Sequence, residues 1–185
     1  MSKLVLVRHG ESRGNVWSEA NRDDRTNFLS AKGRKQAEIA GMDLAEDQFD
    51  FSAVISSAMT RARETMVTIM TEFNADDHIR DYIIDDRLNE CRSRHVAEEH
   101  LTNVTLAMDE VVMPALLKGD VLCVTHYHTM QAMLAYLESE YPPFRRRNIW
   151  CEGRNIPNAM PFVYDDEKPN AWIIYNHYYE RTQYL

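Results

Sequence analysis

The stretch KLVLVRHGES, Lys3–Ser12, decides how the rest of the chain is read. Leu and Val follow one another from Leu4 to Val7 with no polar break, the pattern of a strand buried on both faces of a sheet. The run stops abruptly on Arg8, His9 and Gly10. A cation and an imidazole at the tip of a buried strand are not core material, and a glycine beside them lets the backbone turn or approach a ligand closely. In open α/β sheets ligands bind just beyond the carboxyl ends of the strands. The tip of this strand is therefore expected to be a site.

The same reading extends along the chain. LSAKGRKQAEIAGMDLAED predicts a helix with Ser30 as its N-cap and Ala37, Ile39, Ala40 and Leu44 at near-helical spacing. FSAVISSAM gives a short strand over Ala53–Ser56, and TRARETMVTIMTEF a helix with Met66, Ile69, Met70 and Phe73 on one face. A short apolar stretch and a charged loop fill DYIIDDRLNECRSRHV. EEHLTNVTLAMDEVVMPALLKG predicts one helix ending at Gly119. DVLCVTHYH is a further strand that stops on polar groups. TMQAMLAYLESEY is the helix after it, ended by Pro142 and Pro143. MPFVYDD and AWIIYNHYY read as late strands joined by the turn DEKPN. Alternating strands and helices predict an α/β fold, a mostly parallel central sheet flanked by helices. There is no repeat, low-complexity tract or domain boundary. The expectation is one domain over residues 1–185, with residues 66–119 contributing a small helical cap and an acid loop.

Composition narrows the function classes. The 185 residues carry a formal net charge of −8, with 44% hydrophobic and 27% charged residues, the balance of a globular domain. A nucleic-acid polymer is not an expected partner, because such binding requires a basic face. No apolar run is long enough to span a membrane, and the N-terminus shows no basic segment followed by an apolar stretch. Cys91, Cys123 and Cys151 lack CxxC spacing and read as reduced thiols. The expected location is the cytoplasm. The oligomeric state stays open, a dimer included.

The strand ends supply the chemistry. The first gives Arg8 and His9, the second leads into Arg61, and the third gives Thr125 and His126. If the strands are parallel, these groups converge on one edge of the sheet. Two arginines and two histidines there make a donor-rich, electropositive pocket suited to a tetrahedral phosphoryl group. Arginine forks grip its oxygens, and an imidazole can donate to them or attack phosphorus.

VRHGES, followed by SSAMTRARET and VTHYHT, resembles the histidine phosphatase superfamily, the phosphoglycerate mutase-like fold. The ordered set covers most of the chain. The resemblance implies a three-layer sandwich and metal-independent phosphoryl transfer with no cofactor. It matches His9 to the nucleophile, Arg8, Arg61 and His126 to the clamp on the phosphoryl oxygens, Asn15 to an asparagine touching phosphate, and Glu90 to the proton donor. Arg63 is the alternative to Arg61, which its place after SSAMT favours. Two features depart from the family pattern: Ala58 stands where proline is usual, and the glycines that commonly follow the acid and the second histidine are absent. Asp85, Asp86 and Glu98 therefore remain rivals to Glu90. The function implied is a phosphatase acting on a small phosphorylated metabolite or nucleotide. The alternatives are a mutase and a non-catalytic phospho-ligand binding module. NVWSEANRDDRTNFLS lacks the Gly-Trp of the mutase branch, whereas MPFVYDDEKP looks like a mutase tail.

Some positions have competing plain readings. His128, two residues beyond His126, would share its face on a strand and suggest a metal site with His9, but no partner has suitable spacing. His78, His95, His100 and His177 read as solvated. Met66, Met70, Met108, Met113, Met130 and Met133 read as core. Arg92 and Arg94, and Arg145, Arg146 and Arg147, are candidates for a second anionic group at the pocket rim.

Overall fold

Four apolar runs become parallel strands: β1 (Lys3–Arg8), β2 (Phe51–Ser57), β3 (Asp81–Asp85) and β4 (Asp120–Thr125). The computed structural model describes residues 2–16, 27–73, 81–91, 98–140, 156–165 and 173–174. Two further strands, β5 (Pro161–Asp165) and β6 (Ile173–Ile174), complete a sheet of order β3-β2-β4-β1-β5-β6. β5 runs antiparallel to β1, and β6 antiparallel to β5. β1 lies between β4 and β5, with Leu4, Val5, Leu6 and Val7 all buried. That burial on both faces is why its sequence shows no alternation. β3 is an edge strand and does alternate, leaving Tyr82 and Ile84 exposed.

The helices are α1 (Arg13–Val16), α2 (Ala31–Glu46), α3 (Thr60–Glu72), α4 (Glu98–Ala107), α5 (Met113–Leu116) and α6 (Tyr127–Glu140). The Ser30 side chain accepts from Gly33 N–H, so the predicted N-cap starts α2, a contribution of about 1 kcal/mol. α2 packs on α3, and α4 on α6. The chain moves outward from β2 to β3 through α3 and returns to β4 through α4 and α5, so right-handed crossovers place these connections on opposite faces. Of the predicted methionine core, Met66, Met70, Met108, Met130 and Met133 are buried and Met113 packs at its margin.

The single helix expected up to Gly119 differs. It is α4, a π turn over Met108–Val112 and then α5, ending at Leu116. Pro114 has no N–H and its ring collides with the carbonyl four residues back. The widened turn ahead of it, closed by Met113 N–H on the Met108 carbonyl, accommodates it. Among the described residues no helix is long and apolar enough to cross a membrane.

Candidate active site

The carboxyl ends of the parallel strands bring together the groups that lie far apart in sequence. Arg8 is level with Thr125 in the β1–β4 register, and His9 N–H continues the ladder to the Thr125 carbonyl at 2.8 Å. His9 and His126 are therefore neighbours, their rings 5.0 Å apart and both buried. Arg61, on the first turn of α3, reaches across from the β2 end. Of the two arginines on that helix, Arg61 is buried and Arg63 exposed.

Hydrogen bonding fixes the protons of His9. Its Nδ1 faces the Gly10 carbonyl at 2.7 Å, which can only accept, so Nδ1 carries the hydrogen. Its Nε2 lies 3.2 Å from Arg61 Nε, which can only donate, so Nε2 presents a lone pair. Burial, together with the charges of Arg61 and Arg8, pushes the imidazole well below its ordinary range and keeps it neutral. The backbone behind it is held on every side. Gly10 N–H donates to Thr65 Oγ1 at 2.9 Å, and the same hydroxyl donates to the Arg61 carbonyl at 2.7 Å. Asn158 Nδ2 donates to the His9 carbonyl, and Ala159 N–H to that of Arg8, each at 2.7 Å.

A chain of hydrogen bonds does the same for His126. Asn89 Nδ2 donates to Asp86, while its Oδ1 accepts from Ala58 N–H at 3.1 Å and from Ser57 Oγ at 2.7 Å. With its one proton given to Asn89, Ser57 Oγ accepts from His126 Nε2 at 2.8 Å. Among the described residues, His126 Nδ1 is left as a buried atom without a partner. Burial, and then the neighbouring His9, Arg61, Arg8 and His100, push this imidazole well down too. Ser57 lies in the SSAM stretch that points to Arg61. Asn89 gives no signal in the sequence beyond being next to Glu90.

Arg8 donates to the Ile156 carbonyl at 2.7 Å and lies over the Tyr127 ring, 5.4 Å from its centroid, while its Nε is buried with no partner among the described residues. Among the described residues, two buried polar atoms at the same sheet edge, Arg8 Nε and His126 Nδ1, thus have no hydrogen-bond partner, and buried polar groups of this kind call for one. The N-termini of α3 and α6 point their backbone dipoles toward the same edge.

The acidic candidates separate. Asp85 is engaged by Arg87 Nε and Nη2. Burial raises its carboxyl, but the hydrogen bonds from Arg87 outweigh this and hold it below the usual range. Asp86 is exposed and takes the Asn89 amide, and Glu98 is exposed at the start of α4. Glu90 is partly buried, and its charge acts on both Arg8 and His100. Asn15 is exposed, with Oδ1 turned back onto Ser12 N–H and Oγ. His128 does not share a strand face with His126, because β4 ends at Thr125 and α6 begins at Tyr127. His100 is half-buried beside Thr129 rather than solvated. No three His, Cys, Asp or Glu group as metal ligands among the described residues. Arg92, Arg94, Arg145, Arg146 and Arg147, with His78, His95, His177 and Cys151, lie outside the described residues.

Residues 4–104, more than half of the chain, match the sequence profile of the histidine phosphatase superfamily (branch 1). The mitochondrial serine/threonine-protein phosphatase Pgam5 of Drosophila ananassae is 38% identical over 73 residues, 40% of this chain and 24% of that protein. A 2,3-bisphosphoglycerate-dependent phosphoglycerate mutase of Gloeothece citriformis (strain PCC 7424) is 38% identical over 77 residues, 40% of this chain and 31% of the mutase. The matched stretch thus spans only about a quarter to a third of these curated relatives. The fold is similar to that of the ecdysone phosphate phosphatase EPPase from Bombix mori, solved with tungstate. The TM-score is 0.73 and the identity 14%, over 94% of this chain and 92% of that one.

Proposed function

Since the chain belongs to the histidine phosphatase superfamily, we propose that it is a phosphomonoesterase working through a phosphohistidine at His9 on a small phosphorylated metabolite or nucleotide. The observation that carries this reading is the neutral His9, its Nε2 lone pair held under Arg61, beside the unsatisfied Arg8 Nε and His126 Nδ1. A phosphoryl group supplies acceptors to both arginines, and Arg61 Nε passes from the imidazole to a phosphoryl oxygen as the lone pair meets phosphorus. The N–P bond forms as the P–O ester bond breaks, and the leaving oxygen takes a proton from Glu90. Water then attacks phosphorus and gives a proton to Glu90, and the N–P electron pair returns to Nε2. Arg8, Arg61 and Asn15 hold the oxygens, and His126 joins them through Nδ1 when that atom takes the proton a monoanionic phosphate ester brings; this charge stabilisation supplies most of the acceleration. Such a site needs no metal ion.

The test is to quench the enzyme during turnover of a labelled phosphate ester. Acid-labile label on His9, and loss of nearly all turnover in His9→Ala, are expected. Label on Ser, Asp or His126 would overturn the assignment. Transfer to an acceptor alcohol in place of release to water is the outcome for a mutase, the reading favoured by the Gloeothece relative.

A further inference from the structure

Among the described residues, Glu90 is held through its Oε1. Cys91 N–H and His128 Nδ1 both lie 3.1 Å from that oxygen, and among the described residues Oε2 has no hydrogen-bond partner. A carboxyl group that accepts two N–H donors on one oxygen carries its exchangeable proton on the other. His128 is itself placed by its neighbours. It sits on the first turn of α6, its ring edge-on to that of Tyr127 at 5.2 Å, and Tyr127 in turn lies under the Arg8 guanidinium. One helix turn therefore supports a phosphate-side cation and the acid-side carboxyl together. Behind it, Thr129 Oγ1 donates to the Asn89 carbonyl at 3.2 Å, pinning the backbone that leads into Glu90.

We propose that His128 is the positioning residue of Glu90: it fixes Oε1 so that Oε2 delivers the proton to the leaving oxygen and collects it from the attacking water. This rests on the phosphatase reading above. The proton returns to Glu90 in each cycle, so His128 is neither consumed nor required as a proton source. Its ring donates to the carboxylate that exists between the two steps. Glu90, His100 on α4, and Arg8 through Tyr127 are the charged or titratable groups around it.

The experiment is a double-mutant cycle in single turnover, with an alkyl phosphate and with nitrophenyl phosphate. An alkoxide needs a proton to leave and a nitrophenolate needs little. Glu90→Gln should slow the alkyl ester far more than the aryl ester. His128→Ala should do the same to a smaller extent, roughly tenfold on the alkyl ester, the size of a hydrogen bond to a charged group. His128→Asn, whose amide places a donor near the Nδ1 position, should recover most of the rate. In the Glu90→Gln background, His128→Ala should cost nothing further. His128→Leu, of similar volume and without a donor, repeats the test if the alanine variant fails to fold. If Glu90→Gln slows both esters equally, Glu90 is not the acid and the proposal falls with that assignment. If Glu90→Gln discriminates but the His128 effect multiplies with it, or His128→Ala slows both esters alike, the phosphatase reading stands and His128 does not act through Glu90.

Discussion

His9 and His126 are buried imidazoles held neutral by desolvation and by the cations beside them. In the unfolded chain each titrates near the ordinary value of about 6.5. As pH falls below that value the unfolded chain takes up protons that the folded chain does not, so stability falls, by up to about 1.4 kcal/mol per pH unit for each histidine. His100, also shifted down by partial burial, adds in the same direction. The urea midpoint of the free protein should therefore drop between about pH 7 and about pH 5, and a variant with both His9 and His126 replaced by Gln should show a shallower drop. Identical slopes would mean that the two rings are not the neutral species their hydrogen bonds describe. Arg8, His9, Arg61 and His126 were legible because polar groups that follow an apolar strand are conspicuous. Ser57 and Asn89 were not, because their part depends on which atom of one side chain faces which atom of another. The sequence records residue types and leaves such atomic directions unstated.

At the level of elements, the turn that carries His9 is pressed against the start of α2. A Cβ on Gly10 would lie 2.5 Å from the Gly33 carbonyl oxygen, and one on Gly33 would collide with the Glu11 carbonyl oxygen. The Ser30 hydroxyl also donates to Glu11 Oε1 at 2.7 Å, and Ser30 N–H to the Glu11 carbonyl at 2.8 Å. Gly33→Ala should cost about 1–3 kcal/mol of stability through overpacking, and should lower turnover because the strain falls on the loop behind His9, the proposed nucleophile. Lys32→Ala, exposed on the same helical turn, should stay within about 0.5 kcal/mol of the parent. Denaturant melts and initial rates on both variants check this. The cap of α2 could be read because Ser before an amphipathic run is a local signal. The π turn before Pro114 could not, since proline signals a break but the surrounding packing decides whether the helix ends or widens.

For the molecule as a whole, an acidic chain of net charge −8 concentrates Arg8, Arg61 and two imidazoles at one edge of its sheet. Because those side chains supply the charge that phosphoryl transfer requires, turnover should survive exhaustive dialysis against a chelator. Vanadate should inhibit as a five-coordinate mimic of the transition state. Restoration of lost activity by zinc or magnesium would contradict this. The α/β class and the convergence of strand ends followed from the alternation of apolar runs and helices. The strand order did not, because the central place of β1 is chosen by contacts between segments more than a hundred residues apart, as in Lys3 N–H donating to Asp120 at 2.7 Å.

The place of β1 between β4 and β5 has a consequence for the nascent chain. Lys3–Arg8 leaves the ribosome more than a hundred residues ahead of its partners, which begin only at Asp120 and Pro161. At translation speeds of about 5–20 residues per second, an apolar segment waits on the order of ten seconds for the strands that will cover it. During that interval it is a sticky ribbon with two open edges. The candidate site is completed late for the same reason, since Asn158 and Ala159 must be added before they can bond the carbonyls of His9 and Arg8.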